Sequence, residues 1–297
     1  MLEIAIKAAI GLAAGLLGGL LGIGGSVVLI PALIFYFSWR GQGYTGSSEH
    51  LIQAAAMVCN VFVAAPALVA HARAGAIMPS VVWRVVPAAL VGVLAGVTLS
   101  NTSAFAQANG RYLAMLFAVF MGYVALYNLW RMVSRVDLTA SYEEGRPVAT
   151  GRSLGIGLTM GVAGGLLGIG GGSVCVPAQQ FFLRLPLRRA IANSATTIVF
   201  TAAVGAVYKN ATLGAHGFSA WESLSLAAVL APTAIVGSYV GARLVHCLPR
   251  KVLQVVFVVF MGFVAIKVMG KAMAAGAIDG PGRTVESSQH QTEHQGN

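Results

Sequence analysis

A glycine-rich motif that occurs twice inside long apolar stretches constrains this chain more than any other feature. Residues Gly18 to Gly25 form the sequence Gly-Gly-Leu-Leu-Gly-Ile-Gly-Gly, and Gly164 to Gly171 repeat it without a change. A proline follows each copy at the same distance, as Pro31 and Pro177. This identity predicts a tandem duplication. Because glycine disfavours helix, it also predicts a broken apolar helix at matching places in the two halves.

The composition is that of a membrane protein. Of the 297 residues, 57% are hydrophobic and 9% are charged, and the chain holds 37 glycines and 10 prolines, which transmembrane helices tolerate better than soluble ones do. Apolar runs of about 20 residues, the length that crosses a bilayer, recur throughout. We therefore predict an all-α integral membrane protein with about eight transmembrane segments in two homologous four-segment halves, each opening with a glycine-broken helix.

The alternation of apolar and polar stretches predicts four parts. We assign residues 1–132 to a first membrane repeat, 133–152 to a hydrophilic linker, 153–272 to a second membrane repeat and 273–297 to a disordered polar tail. The pairs Gly92-x-x-x-Gly96 and Gly237-x-x-x-Gly241 occupy equivalent places in the two halves and predict close packing of helices.

The stretch after each motif is long enough for only about half a bilayer, which predicts a bent or re-entrant element. A re-entrant hairpin in each half would invert the second half relative to the first, whereas full crossings throughout would place both halves the same way up. The inverted arrangement is favoured, because it puts the basic linker, Arg73 and the loops at 184–189 and 243–251 on one side, which we expect to be cytoplasmic. Lys267 and Lys271 do not fit that pattern.

Several classes of site are not indicated. The formal charge of +10 comes mostly from basic residues in short loops beside apolar spans, so no nucleic-acid partner is expected. The three cysteines, Cys59, Cys175 and Cys247, have no paired spacing, so neither a disulfide framework nor a metal site is predicted. The glycine motif lacks the strand and acidic residue of a dinucleotide site, and no cofactor is expected.

The breaks themselves predict a substrate site. An interrupted helix presents free N–H groups and the positive end of the following half-helix, which together attract an anion without a charged side chain. The candidate substrate-binding residues are those of the two breaks and of the polar cluster that opens the span after the second break: Gly22, Gly24, Gly25, Ser26, Gly168, Gly170, Gly171, Gly172, Ser173, Asn193, Ser194, Thr196 and Thr197. Capping is an alternative role for the serines, and bonding between helices is an alternative for the cluster.

The charged residues give little indication of a second site. All acidic residues fall at segment ends, in loops or in the tail, so neither a cation site nor a carboxylate proton relay is predicted. Arg84, Lys209 and Arg243 lie near span ends, where we expect long basic side chains to extend to the membrane surface; drawing an anion towards the cavity is the alternative role. His71 and His246 also lie at span ends and are expected at the surface.

The duplicated glycine motif, the two following prolines and the stretch Ala192 to Thr197 resemble the TauE/SafE sulfite exporter family. The likeness covers essentially Ala8 to Met269. It implies a bacterial inner-membrane, multi-pass transporter of two repeats, for sulfite, thiosulfate, sulfoacetate and related sulfur anions or organosulfonates. The family tends to show Ala-Thr-Ser at the start of the span after each break, whereas residues 53–57 here are Gln-Ala-Ala-Ala-Met. The first half departs from the pattern at that point.

The leading hypothesis is a permease or exporter of a small anion, with sulfite or a related sulfur oxyanion or organosulfonate as substrate, bound between the halves at the broken helices. No catalytic residue is expected, and the chain is not expected to be an enzyme. The expected partners are the anion and the lipid bilayer, and a homo-oligomer is left open. The alternatives are an intramembrane serine hydrolase using Ser26 or Ser173, for which the usual motifs are missing, and a structural membrane protein without a substrate.

Overall fold

The computed structural model describes residues 2–40, 46–105, 111–134 and 148–278. These residues contain ten α-helices and no strand: α1 (Leu2–Leu21), α2 (Ser26–Trp39), α3 (Gly46–Arg73), α4 (Pro79–Ser100), α5 (Arg111–Val133), α6 (Thr150–Leu167), α7 (Gly172–Phe182), α8 (Leu187–Thr212), α9 (Ala220–Cys247) and α10 (Arg250–Ile278). Short 3-10 turns follow α4 at Ser103–Phe105 and α8 at Leu213–His216.

Five helical stretches are long and apolar enough to cross a membrane, within the ranges described: Leu2–Leu21, Ser48–Arg73, Pro79–Ser100, Leu187–His216 and Ala220–Cys247. Shorter apolar stretches occur at Ser26–Trp39, Tyr112–Tyr127 and Val258–Gly270. The protein is therefore an all-helical, multi-pass membrane protein. α10 continues to Ile278, so residues 273–278 of the predicted tail are helical. The rest of that tail and most of the predicted linker lie outside the described residues.

Both predicted breaks are present, and glycine conformation explains them. Gly22 and Gly24 separate α1 from α2 with φ angles of 64° and 83°, and Gly168, Gly170 and Gly171 separate α6 from α7 with φ angles of 71°, 69° and 86°. This left-handed region is strained for residues with a Cβ, and it cannot continue a right-handed helix. The helices that follow are short, with 14 residues in α2 and 11 in α7.

The chain reverses direction at each break. A Cβ on Gly18 would lie 2.8 Å from the amide nitrogen of Gly25, and a Cβ on Gly164 would lie 2.6 Å from that of Gly171. Residues seven apart along a straight helix are about 10 Å apart, so the backbone has folded back on itself. α2 therefore returns towards the end of the bundle where α1 begins, and α7 returns towards the opposite end, where α6 begins. The structure therefore shows a sharp bend at each break, where the sequence predicted a bent or re-entrant element.

The long helix before each break packs along a helix from elsewhere in the chain, α1 along α9 and α6 along α4. The predicted glycine pairs lie in these contacts. A Cβ on Gly92 would be 2.9 Å from the amide nitrogen of Val162, and a Cβ on Gly237 would be 2.8 Å from that of Leu16. The absence of side chains there lets the two backbones approach, as predicted.

Both helix pairs are parallel, which fixes the course of the chain. In the α4–α6 pair Gly157 lies beside Val85 and Gly165 beside Val93, so the residue numbers rise together along both helices. The same is true of the α1–α9 pair. Helices α4, α6, α8 and α10 begin at one end of the bundle, which we call the linker end. We call the opposite end the terminal end. α1 starts at the terminal end and α6 at the linker end, so the two helices run in opposite directions.

Candidate functional site

The two glycine breaks meet in the middle of the bundle. A Cβ on Gly172 would lie 2.6 Å from Ile23 Cα and 2.7 Å from the carbonyl oxygen of Gly22. The flanking helices close over this contact, since Gly22 lies against Ile191 of α8 and Gly168 lies against Gln53 of α3. The structure thus brings together the glycine residues that the sequence singled out in each half.

Asn60, near the middle of α3, is a site residue that sequence reasoning missed. It is fully buried, and its Oδ1 accepts a hydrogen bond from the Ser26 amide at 2.9 Å. Its Nδ2 donates to Ser26 Oγ and, at 3.2 Å, to the carbonyl oxygen of Ile169. Asn60 therefore caps α2 after the first break and bonds to the backbone of the second. The signal available was an amide side chain inside an apolar stretch, where a polar group is costly unless it is hydrogen-bonded.

Two hydroxyl groups of α8 satisfy carbonyls that the breaks leave without helical partners. Ser194 Oγ donates to the carbonyl oxygen of Gly22 at 2.6 Å, so this member of the predicted cluster contacts a break. Thr201 Oγ1 donates to the carbonyl oxygen of Gly170 at 3.0 Å, although the sequence did not single out Thr201. Both bonds stabilise irregular backbone that would otherwise be costly inside a membrane.

The other members of the predicted cluster face elsewhere. Asn193 Oδ1 accepts from the Met78 amide at 2.8 Å, and its Nδ2 donates to Gln179 Oε1 at 3.1 Å, so Asn193 joins α4 and α7 to α8. Thr196 and Thr197 donate to carbonyl oxygens one turn earlier in α8, at 2.8 and 2.9 Å. These three residues thus make bonds within the helix or between helices, the alternative that the sequence left open.

A cavity of about 510 Å³ lies beside the second break, between α5, α6 and α7. Ser173 lines it at the start of α7 and is fully buried. In the described structure no hydrogen-bond partner reaches Ser173 Oγ, whereas Ser26 in the first break is bonded to Asn60. The two breaks therefore differ, because the second has a hydroxyl group without a described hydrogen-bond partner at the wall of a cavity.

The cavity wall is mostly apolar and aromatic, with residues such as Phe120, Tyr123, Val124 and Phe181. Arg152 lies at its edge near the linker end and donates to the carbonyl oxygen of Phe182 at 3.3 Å. Because Ser173 is in the first turn of α7, the positive end of that helix dipole lies at the deep end of the cavity. An anion with a small apolar part would suit this arrangement.

Two expectations about charged and titratable residues were wrong. Lys209 was expected to extend to the membrane surface, but it is only 3% exposed, because α8 continues to Thr212 and turns Lys209 towards α3 and α4. His71 was expected at the surface, but it is fully buried, with its Nδ1 3.1 Å from His246 Nε2, because α3 packs along α9 there.

The other two basic residues lie at the linker end. Arg84 donates to the carbonyl oxygen of Val148 at 2.8 Å. The guanidinium carbon of Arg243 lies 4.4 Å from the centre of the Tyr239 ring, and the side chain is exposed. Arg243 therefore occupies the kind of surface position that the sequence predicted.

Comparison with known proteins agrees with this architecture. The family model described as sulfite exporter TauE/SafE matches residues 7–268. The chain is 30% identical over 273 residues to the "Probable membrane transporter protein MamO" of Magnetospirillum gryphiswaldense and 29% identical over 273 residues to that of Paramagnetospirillum magneticum. These matches cover 83% of the chain, but only 42% and 41% of the two relatives, so the chain spans about two fifths of their length.

A relative of similar length is the "Probable membrane transporter protein YunE" of Bacillus subtilis, 23% identical over 281 residues that cover 89% of the chain and 95% of the relative. No solved structure matches the chain. The family match extends over nearly the whole helical bundle, including both glycine breaks and the cavity beside the second. The chain therefore belongs to the TauE/SafE family.

Proposed function

We propose that this protein is a membrane transporter that carries a small anion through the region of the two glycine breaks. The observation that carries the proposal is Ser173, a buried hydroxyl group without a partner that lines a cavity at the start of α7. Family membership and the printed names of the relatives support a transporter. The family name favours sulfite as the substrate, and the proposal includes related sulfur oxyanions and organosulfonates.

The chemistry of the cavity favours an anion over a cation. Its described lining includes the basic residue Arg152 and no acidic residue, and the N-terminus of α7 adds a positive partial charge. A cation would need carboxylate or carbonyl oxygens directed at it. The serine hydrolase alternative gains no support, because a nucleophilic serine needs a base within hydrogen-bond reach, and Ser173 Oγ has none among the described residues.

We further propose eight membrane segments in two inverted repeats, 1–132 and 153–272, each made of one re-entrant hairpin and three crossings. The hairpins would be α1–α2 and α6–α7, and the crossings would be α3, α4, α5, α8, α9 and α10. The packing supports this, since α1 packs on α9 as α6 packs on α4, while α3 packs on α8 and α5 on α10. In the two halves α1 corresponds to α6, α3 to α8, α4 to α9 and α5 to α10. Exchanging the halves therefore turns the α1–α9 contact into the α6–α4 contact and leaves the other two contacts unchanged, as expected for inverted repeats.

The distribution of basic residues supports an inner-membrane location with the linker end in the cytoplasm. The described basic residues at the linker end are Arg73, Arg84, Arg152, Arg184, Arg188, Arg189, Arg243 and Lys251. Those nearest the terminal end are fewer, namely Lys7, Arg40, Lys209 and Lys267. Cytoplasmic loops of membrane proteins carry an excess of Lys and Arg, so the linker end fits the cytoplasmic side.

Transport requires the two breaks to separate. In the structure Gly172 touches Ile23 and Gly22, and Asn60 bonds to both breaks, so no passage runs between them. An anion that enters the cavity from the linker end would stop at Ser173. Movement of one half against the other would open the contact, as in transporters whose site lies between inverted repeats.

The test is anion flux into liposomes that hold the purified chain. Labelled sulfite, thiosulfate and a sulfonate serve as probes, with protein-free liposomes as a control for leakage. Because Ser173 makes no hydrogen bond in the structure, Ser173→Ala removes a ligand group without removing a fold contact. We expect its melting temperature to match that of the wild type, while the half-saturating anion concentration rises about tenfold.

The matched control is Ser225→Ala, which removes an exposed hydroxyl group of α9 and should leave flux unchanged. Equal flux in the Ser173→Ala variant and the wild type would exclude Ser173 from the anion site. If the folded wild-type protein moves none of the three probes, a sulfur anion is not its substrate.

A further inference from the structure

A buried polar network joins α3, α4 and α8 near the terminal end of the bundle. Lys209 Nζ donates to Gln53 Oε1 at 2.6 Å and to Ser100 Oγ at 3.1 Å. Gln53 Nε2 donates to Glu49 Oε1 at 3.1 Å. Glu49, Gln53 and Ser100 are fully buried, and Lys209 is almost so. Gln53 thus connects an ammonium group to a carboxylate inside the helical bundle.

The same glutamine touches the second glycine break. A Cβ on Gly168 would lie 2.6 Å from Gln53 Cβ and 2.7 Å from Gln53 Cγ. Gly168 ends α6 in a left-handed conformation with φ of 71°, and α7 with Ser173 begins just after the break. A shift of Gln53 therefore acts on the backbone of the break, so the charge of the network and the position of the proposed anion site are linked.

The charges of the network suggest what the link does. Burying a lysine and a glutamate is costly, and ionisable groups inside membrane bundles usually mark a functional site. When both groups are ionised the network is neutral, and an anion arriving from the break is attracted by Lys209 and repelled by Glu49. When Glu49 takes up a proton, one positive charge is left, which matches a single negative charge on an anion.

We propose that the Glu49–Gln53–Lys209 network couples transport to protons, so that one proton and one anion cross in the same direction. This inference rests on the proposed transport function. The Glu49 carboxylate takes a proton from water on one side and becomes a carboxylic acid, while the Lys209 ammonium group faces the anion. After the breaks rearrange, Glu49 returns the proton to water on the other side. A monovalent anion and a proton together carry no net charge, so the membrane potential does not oppose uptake.

Two histidines lie close to the network. His50 and His216 stack with ring centres 3.6 Å apart, and their Nε2 atoms lie 2.9 Å from the Phe105 carbonyl oxygen and 3.2 Å from Asn101 Oδ1. Lys209 acts electrostatically on both rings, so a proton on either would place a second positive charge beside it. A proton on Glu49 removes a charge instead, and we therefore assign the coupled proton to Glu49.

Further charged and titratable side chains are described at the terminal end, on the elements packed around α3 and α8 and on α10. The Tyr36 hydroxyl group donates to Glu3 Oε2 at 3.5 Å, and that of Tyr208 is 2.9 Å from Thr98 Oγ1. These residues are Glu3 and Lys7 of α1, Tyr36 of α2, Arg40 after α2, Tyr112 of α5, Tyr208 of α8, Glu222 of α9 and Lys267 of α10.

The test uses the full chain in liposomes with the membrane potential held at zero. The probe is a labelled sulfonate, or thiosulfate if the sulfonate is not carried, because both stay ionised near neutral pH and cannot carry the proton themselves. With a pH difference of about one unit, acid outside, one-to-one coupling should concentrate the probe up to about tenfold inside. A pH-sensitive dye inside the liposomes should report proton entry with the probe.

Glu49→Gln keeps the size of the side chain and a hydrogen-bonding partner for Gln53, but it cannot release a proton. We expect this variant to carry the probe downhill and to lose accumulation, with an inside-to-outside ratio of about one. Glu49→Asp retains a carboxyl group and should still accumulate the probe. The matched control is Glu222→Gln, a change of an exposed carboxyl group at the same end, which should accumulate like the wild type.

Accumulation by Glu49→Gln, or wild-type flux that ignores the pH difference, would overturn the coupling and leave the transport function intact. Absence of flux with every sulfur anion in the folded wild-type protein would overturn the proposed function instead. If Glu49→Gln does not fold, the coupling is tested by the pH-sensitive dye in liposomes that hold the wild-type protein. Probe uptake without proton entry would contradict the coupling. In that case a folded Glu49→Asp variant that still accumulates the probe, but with a pH dependence shifted from that of the wild type, supports the assignment to Glu49, and a Glu49→Asp variant in which uptake and proton entry stay unchanged at every pH contradicts it.

Discussion

At the scale of single residues, Asn60 is the side chain that holds the two breaks together. Replacing it with alanine would leave the Ser26 amide and the Ile169 carbonyl oxygen buried without their present partner. Each such loss costs about 1–3 kcal/mol, so we expect Asn60→Ala to lower the free energy of unfolding by about 2–6 kcal/mol. Denaturant unfolding of the purified protein in detergent, followed by tryptophan fluorescence, measures this change.

The matched control is Asn210→Ala, also in a membrane helix. Asn210 Nδ2 donates to the Ala206 carbonyl oxygen of its own helix at 2.8 Å, and its Oδ1 has no partner in the described structure. Its removal should cost less than about 1 kcal/mol. Equal losses in the two variants would show that Asn60 does not join the breaks.

The sequence predicted the residues whose role follows from the chain itself, and it missed those whose role depends on packing. Ser194 follows the second break in a recognisable polar cluster, so the sequence could single it out, but not its hydrogen bond to Gly22 in the other half. Asn60 and Lys209 lie in helices whose polar residues are not confined to one face, and such helices do not reveal which face meets protein and which meets lipid. Lys209 points inward because α8 packs against α3 and α4, and the sequence of α8 alone does not show this packing.

At the scale of elements, the glycine breaks depend on backbone that only glycine adopts without strain. Gly170 has φ of 69°, and a Cβ there would lie 2.9 Å from Asn60 Nδ2 and 3.3 Å from Ile198 Cγ2. We expect Gly170→Ala to lower the free energy of unfolding by about 1–3 kcal/mol and to abolish flux, because α7 can no longer be held at this angle. Unfolding in detergent and anion flux in liposomes measure the two effects.

Gly262→Ala is the control for that change, since Gly262 lies within α10 and a Cβ there meets nothing within 4 Å. It should leave flux unchanged and stability equal or slightly higher, because alanine is the better helix former. Full flux in Gly170→Ala would mean that the conformation of the second break is not needed for transport.

The elements themselves were largely predictable. The apolar stretches at 51–70, 81–99 and 224–244 lie within α3, α4 and α9, because hydrophobic length alone specifies a membrane helix. The helix ends extend further than hydropathy indicates, as α3 begins with the polar residues Ser47 to His50. Buried polar residues at a helix end need partners from other helices, and the sequence of one helix does not identify them.

At the scale of the whole molecule, the course of the chain predicts on which side of the membrane each loop lies. α9 ends at the linker end with Cys247, which is exposed, whereas Cys59 and Cys175 are buried. The wild-type protein therefore carries one accessible thiol among the described residues at the end that we assign to the cytoplasm. A membrane-impermeant maleimide should label it in inside-out vesicles and leave it unlabelled in intact spheroplasts.

The opposite end is tested in the same way after Cys247→Ser has removed that thiol. Arg40 lies after α2 at the terminal end, where its guanidinium group forms an ion pair with Glu3 near the protein surface. Arg40→Cys in this background should be labelled in spheroplasts and protected in inside-out vesicles. Labelling of both positions from the same side would contradict the inverted arrangement, because a re-entrant α2 requires Arg40 and Cys247 to lie on opposite sides. The reverse pattern would keep the inverted repeats and place the basic linker outside, against the distribution of Lys and Arg.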